Sequence, residues 1–380
     1  MQVKRFQQRA AVGVRYMKEY LLDNVVDGYD RTFLPPKPLD VICEISYICN
    51  LACPTCFRWT SKPDENELTA DEWIQVLAKL KAWLGSFNLT FTGGEPFLRA
   101  DDMLRIFRYA ADQGIMTTVV SNGSLIDKAL ARRIADSGLD GLTISLNSLV
   151  PEVHNKTRGT NAAFDEVMTA LQNMKEVRDG MRLTLSCTIL KETVSGLPDL
   201  IEWAKTNGYY GVNFQPIMPA TTLPIFDKSG KAMKSSPGVP YRNLLNNEDQ
   251  AERQMIDTVF ARLLEMKAAG YPILNSASHL REIARYLKDP TLPELLEKTC
   301  KVGIRNFNID PFGNVRLCSI FDVVGNIKDE LPGDLWTSAN AKTQRDGIRS
   351  CDKMCRLMFC NYKELDLKFR LKRVANVLTE

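Results

Sequence analysis

Three cysteines, Cys49, Cys53 and Cys56, stand in a CxxxCxxC spacing between Tyr47 and Arg58. A lone thiol behaves as a small hydrophobe, but three on one loop are a reactive liability unless something ligates them. Soft thiolates favour zinc, copper(I) or iron–sulfur clusters. A structural zinc site is closed by four protein ligands, and a [4Fe–4S] cube also has four irons to satisfy. No fourth Cys or His follows nearby, and upstream there is only Cys43, which reads as packing in the first strand. Three local ligands therefore predict a cube with one iron left for something that is not protein. The alternative, a zinc knuckle, has only His154 and His279 to supply nitrogen.

The elements that must position this loop alternate in type. Strands are predicted at 39–47, 87–92, 115–120, 140–146, 182–189 and 211–215, with helices at 69–84, 100–113, 127–137, 161–178 and 196–207. The first helix opens on a capping box, Thr69-Ala70-Asp71-Glu72. Repeated β/α units predict an α/β fold whose parallel sheet, joined by right-handed crossovers, curls into a partial (β/α)6 barrel. Ligands in such folds gather at the C-terminal ends of the strands, where the cysteine loop lies. Further helices at about 251–269 and 277–288 and a short strand Tyr271–Asn275 come later.

The cysteine loop is followed, at the end of the next predicted strand, by Thr92-Gly93-Gly94-Glu95-Pro96. Alone this is an ordinary turn. With CxxxCxxC before it, the chain resembles the radical S-adenosylmethionine (SAM) enzymes over roughly residues 38–217. The resemblance implies that Cys49, Cys53 and Cys56 hold a [4Fe–4S] cluster whose open iron binds SAM. Electron transfer to the sulfonium would then give methionine and a 5′-deoxyadenosyl radical, which takes hydrogen from a C–H bond. Phe57, or Pro54 and Thr55, would touch the adenine edge. Thr92 to Pro96 would bind the SAM amino group, where glycines admit a ligand and Glu95 suits an ammonium. Ser121 and Asn122, in Val119-Val120-Ser121-Asn122-Gly123, match the ribose-contacting segment. Ser145 and Asn147 end the fourth strand, and Asn147 stands where many relatives have Asp. His154-Asn155-Lys156-Thr157-Arg158-Gly159 matches a His…Arg-Gly segment, and Arg158 could take the SAM carboxylate in fork geometry, or be a surface arginine on a loop approaching a helix.

The tail carries Cys300, Cys318, Cys351, Cys355 and Cys360. Cys300 and Cys318 bracket a predicted hairpin with a Gly313-Asn314 turn. The layout over about 300–362 is similar to a SPASM/Twitch auxiliary-cluster domain, which carries about seven cysteines for two clusters when complete. Five cysteines imply one auxiliary [4Fe–4S] cluster, held by Cys300, Cys318 and two of the other three. Zinc is the alternative there as well.

The chain divides into a basic amphipathic helix and Pro-rich linker (1–37), the core (38–217), a rim segment with extra helices and a strand (218–290), the small cluster domain (291–362) and a C-terminal helix (363–380). The first helix fits packing on the outside of the core better than a membrane surface. At 380 residues, 44% hydrophobic and 25% charged, the composition is that of a folded protein with one large and one smaller domain. A net charge of +3 gives no argument for nucleic acid, and no apolar run reaches the ~20 residues of a membrane span. With no signal-peptide pattern at Met1–Arg5, ten cysteines in metal-ligand clusters read as a cytoplasmic, oxygen-sensitive protein.

The sequence says least about the substrate. The family acts on peptides, proteins, sugars and other small molecules, and the segment before Leu39 is too short for a leader-peptide-binding domain. An irregular rim at 218–250 carries Lys228, Lys231, Lys234 and Arg242, which would admit an anionic molecule such as a phosphorylated sugar or lipid headgroup. Gln215, Asn275 and Ser276 are candidate substrate contacts. No catalytic hydrogen donor is assigned; Cys187, which reads as core packing, and Tyr209 are the side chains to consider. The resemblance also implies an electron donor such as flavodoxin or ferredoxin. The competing function class is a non-catalytic iron–sulfur or zinc protein, which would have no use for a nucleoside pocket.

Overall fold

A computed structural model describes residues 10–11, 13–14, 35–56, 58–61, 64–217, 249–292, 300, 302–318, 320–351, 354–358 and 361–362. The N-terminal and C-terminal helices, the basic rim and the positions of Phe57 and Cys360 lie outside, or almost wholly outside, these residues.

Strands β1 (Asp40–Glu44), β2 (Asn88–Thr92), β3 (Met116–Ser121), β4 (Gly141–Ser145), β5 (Arg182–Ile189) and β6 (Gly211–Pro216) pair in parallel, each with the next. The connecting helices are α1 (Ala70–Leu84), α2 (Ala100–Gln113), α3 (Lys128–Asp136), α4 (Pro151–Arg158), α5 (Ala163–Val177) and α6 (Leu197–Thr206). The sheet does not close on itself, as expected for a partial barrel. Trp73 of α1 and Phe107 of α2 meet Phe91 of β2 edge-on, at 5.7 and 6.2 Å, so a continuous aromatic core seats both helices against the sheet. The capping box forms: Thr69 Oγ1 accepts from the Glu72 amide, and Glu72 accepts from the Thr69 amide at 2.9 Å.

Two expectations need correcting. Helix α4 forms where an irregular approach to the next helix is expected: Pro151 suits its first turn and Gly159, with φ of 73°, ends it. The predicted strand Tyr271–Asn275 is only an isolated bridge between Val212 and Ile273. Pro272 has no amide to donate. Beyond the bridge the Asn275 side chain takes over the pairing, accepting from the Phe214 amide at 2.7 Å and donating to its carbonyl at 3.0 Å. Helices α7 (Gln250–Ala268) and α8 (Ala277–Lys288) flank this segment as expected.

The cysteine-bearing tail joins the core sheet. Strand β7 (Asn306–Ile309) lies parallel to β1, and β8 (Asn314–Arg316) and β9 (Gly325–Asn326) follow antiparallel, giving a nine-stranded sheet ordered β6-β5-β4-β3-β2-β1-β7-β8-β9. The β7–β8 turn is the predicted one: Gly313 has φ of 85°, and the buried Asp310 carboxylate accepts from the Phe312 and Asn314 amides at 2.9 and 3.0 Å.

Candidate functional site

The motif-bearing segments Cys49–Cys56, Thr92–Pro96, Ser121–Gly123 and Ser145–Gly159 all leave the C-terminal ends of β1 to β4. Close backbone approach holds the cysteine loop there. The Gly94 amide donates to the Ser46 carbonyl and the Glu95 amide to the Ile48 carbonyl, both at 2.8 Å. A Cβ on Gly94 would collide with the Ile48 carbonyl, and one on Gly159 with the Ala52 carbonyl. These glycines are required by contact between backbones. From the other side Glu67 accepts from the Ser46 hydroxyl at 2.9 Å and the Tyr47 amide at 3.2 Å.

Cys53 is buried, and Cys49 and Cys56 are half-buried. Burial pushes the Cys49 thiol up, and the charges of Glu95, Cys53 and Cys56 push in the same direction, so the three thiols share one electrostatic neighbourhood. Among the described residues no three Cys, His, Asp or Glu side chains converge as a single-ion site requires. A cube makes no such demand, because each thiolate takes a separate iron.

Glu95 is 1% exposed. Its carboxylate accepts from the Phe97 amide at 3.0 Å, the Ser121 hydroxyl at 2.8 Å and the Asn122 amide at 2.8 Å. Burial raises its pKa, while these donors and Arg158 lower it. The carboxylate expected to meet an ammonium instead ties the end of β2 to the end of β3. Ser121 is spent on the same contact. Asn122, half-buried, is also committed to protein partners: Asn50, Ser124 and Cys49. Thr92 and Ser145 are half-buried at their strand ends, and Pro96 is buried at the start of a 3-10 turn.

Asn147, 3% exposed, is likewise turned inward. Its amide nitrogen reaches Thr157 Oγ1 at 3.0 Å and its oxygen accepts from the Thr188 amide at 3.0 Å. Its backbone amide donates to His154 Nδ1 at 3.2 Å. Burial, then the charge of Arg158, pushes His154 down to about 3, so the ring is neutral and acts as an acceptor. Cys187, fully buried and raised to about 12 by burial, donates to the Asn147 carbonyl. It is packing, as expected. Arg158 is different. Its Nε is buried with no hydrogen-bond partner among the described residues, and its Nη2 makes a long bond, 3.5 Å, to Asn147 Oδ1. A half-buried guanidinium with one buried, unmet donor beside the thiol loop is suited to an anion.

In the tail, the charges of Cys300 and Cys351 act on Cys318, and those of Cys318, Cys300 and Cys351 act on Cys355. Burial raises Cys318 to about 11 and Cys355 to about 12. Cys300, Cys318, Cys351 and Cys355 thus share one electrostatic neighbourhood. Helix α8 holds their segment: His279 stacks on Tyr362 at 4.0 Å and its Nε2 meets the Leu357 carbonyl at 2.7 Å, while Tyr362 donates to Glu282.

The sequence profile of the Radical SAM superfamily matches residues 43–204. Residues 43–204 form a radical SAM domain. Fe-coproporphyrin III synthase of Methanosarcina barkeri is 27% identical over 258 residues, covering 66% of this chain and 58% of that protein. PqqA peptide cyclase of Granulibacter bethesdensis is 28% identical over 201 residues, covering 48% of this chain and 52% of that protein. The chain thus spans little more than half the length of these curated relatives. Among solved structures, SuiB of Streptococcus suis bound to S-adenosylmethionine superposes with a TM-score of 0.60 at 18% identity, over 82% of this chain and 68% of that one. At that identity the likeness shows the fold alone, and it agrees with the partial barrel expected from the sequence.

Two residues expected to contact substrate are engaged within the protein. Asn275 is 0% exposed and bound to β6, and Ser276 caps α8, accepting from the His279 amide at 3.0 Å. Gln215 is half-buried in β6, opposite Thr188. Residues the sequence reading passed over brace the thiol loop instead: Glu67 and Asn50 directly, and Ser124 through Asn50 and Asn122. Asn50 lies inside the CxxxC spacing itself, the one cue available to a reader of the sequence.

Proposed function

We propose that the chain is an enzyme of radical SAM type that acts on an unactivated C–H bond. The observation that carries the proposal is the half-buried Arg158 side chain, its Nε buried and unmet, at the same strand ends as three thiols that share one electrostatic neighbourhood. An electron carrier needs the thiols but has no use for that cation. Cys49, Cys53 and Cys56 would hold a [4Fe–4S] cluster by three of its irons, and Arg158 would pair with the SAM carboxylate. With Glu95 facing inward, recognition of the amino group falls to backbone carbonyls of the Thr92–Gly94 turn. When bound, the cluster and SAM supply one-electron cleavage of the sulfonium and a radical able to remove hydrogen from carbon. Ser145, at the end of β4, is left as a nucleoside contact.

Cys300, Cys318, Cys351 and Cys355 would hold the auxiliary cluster, because four grouped thiols meet its full need. Electrons would come from a flavodoxin- or ferredoxin-type donor in a reducing cytoplasm. The two relatives are named for different molecules, an iron porphyrin and a peptide, and these are the substrate classes to try first. Among the described residues no helix is long and apolar enough to cross a membrane.

The test is anaerobic reconstitution with iron and sulfide, then SAM and dithionite. Formation of 5′-deoxyadenosine and methionine is expected, and its absence from protein with both clusters filled would reject the enzyme. A Cys49/Cys53/Cys56→Ala triple variant should still bind about four irons. An iron-free variant would remove the auxiliary cluster from the proposal.

A further inference from the structure

We propose that Asn122 donates a hydrogen bond to the Cys49 thiolate and so raises the reduction potential of the SAM-site cluster. This rests on the function proposed above. Its basis is a closed polar ring around the first cluster cysteine. Asn122 Oδ1 accepts from the Ser124 amide at 2.8 Å and from the Ser124 hydroxyl at 2.7 Å. Two donors on that atom fix which end of the amide is oxygen. On the nitrogen end, one hydrogen serves Asn50 Oδ1 at 3.0 Å. The second is aimed at Cys49 Sγ, 3.9 Å away, within reach of the larger sulfur atom. The ring closes through the Asn50 amide, which donates to the Ser124 hydroxyl at 2.8 Å.

The backbone is held as firmly as the side chain, since the Asn122 amide donates to the buried Glu95 carboxylate. The Asn122 side chain can therefore neither flip nor leave, and every donor and acceptor on it is used within the protein. That favours a positioning role on the cluster over the ribose contact expected from resemblance. A hydrogen bond to a ligand sulfur draws off negative charge, favouring the more negative, reduced cluster. Losing it makes reduction harder.

The experiment uses the full chain, reconstituted anaerobically with iron and sulfide and titrated electrochemically under electron paramagnetic resonance, with and without SAM. The signal that changes on adding SAM marks the cluster in question, and the auxiliary signal serves as internal reference. In Asn122→Ala the SAM-responsive cluster should show a reduced-to-oxidised ratio about tenfold lower at a given potential, a shift of ~59 mV for one electron. The auxiliary signal should not move. Asn122→Asp keeps the volume but replaces the donor with a carboxylate, so it should shift the same way and at least as far; it decides the matter should the alanine variant fail to hold the cluster. An unmoved midpoint, or an equal shift in both clusters, overturns the assignment to Asn122 alone. Wild-type protein with no SAM-responsive signal overturns the underlying function as well.

Discussion

The Tyr47 hydroxyl, two residues before Cys49, donates to Asp310 across 3.4 Å, although the two residues are 263 positions apart in the chain. The contact is part of a seam between the cysteine loop and the β7–β8 hairpin. Phe312 meets the Tyr47 ring edge-on at 6.0 Å, and the Arg58 guanidinium lies 4.2 Å over its face. Glu44, at the end of β1, pairs with both Arg58 and Arg316. The hairpin that leads to the tail cysteines is thus docked on the loop that carries the first three.

Asp310 gives this seam a pH dependence. Burial raises its carboxyl to about 6, against the lowering influence of Asn314, Arg316 and Phe312. With an unfolded value near ~3.9, the stability it contributes is complete below that pH and is lost as pH rises through about 6. Asp310→Asn has no such titration. The stability of wild type relative to this variant should fall by roughly 1 kcal/mol between about pH 5 and about pH 7. Denaturant melts of both proteins at the two pH values measure it, and a constant difference would rule the shift out.

Gly94→Ala places a methyl group on the Ile48 carbonyl, with no flexible side chain to yield. The cysteine loop must move away. Reconstituted variant protein should lose about half of its iron, the SAM-site share, while keeping the auxiliary share. Gly159→Ala meets the Ala52 carbonyl and also has φ of 73°, so a loss of about 1–3 kcal/mol is expected on thermal melting. Full iron loading in the first variant would show that the loop tolerates displacement.

Arg158→Ala should weaken SAM binding to the reconstituted protein by roughly tenfold or more, the ~1.5–3 kcal/mol of a charge-assisted bond. Arg158→Lys should recover only part, because an ammonium cannot present a planar fork. Equilibrium dialysis with labelled SAM reads both. Equal affinity in all three proteins would move the carboxylate contact elsewhere.

Asn275→Ala strips the partners from the Phe214 amide and carbonyl at a fully buried position. A loss of about 1–3 kcal/mol for each unmet group should appear as a lower melting temperature, with SAM affinity unchanged. A variant with native stability and weakened substrate binding would restore the substrate contact expected from the sequence.

The β/α alternation is legible because parallel strands and amphipathic helices carry different periods; β2 to β6 lie within one residue of their predicted bounds, while β1 ends three residues early, at Glu44. Helix α4 was missed because it is short, polar and begins with a proline. The pseudo-strand at Tyr271–Asn275 was overread because its alternation is real, while Pro272 removes the donor that a second ladder bond needs.

Sequence alone determined which atoms can do chemistry here: cysteines at fixed short spacings, and glycines where no side chain fits. Spacing along the chain sets ligand reach, so the thiol loop could be found without coordinates. Tertiary structure alone decided which way polar side chains face. Glu95, Asn122 and Asn147 look like ligand contacts in one dimension, but backbone amides bind the side chains of Glu95 and Asn147, and Ser124 and Asn50 bind that of Asn122. Arg158, by contrast, keeps a buried Nε with no partner among the described residues.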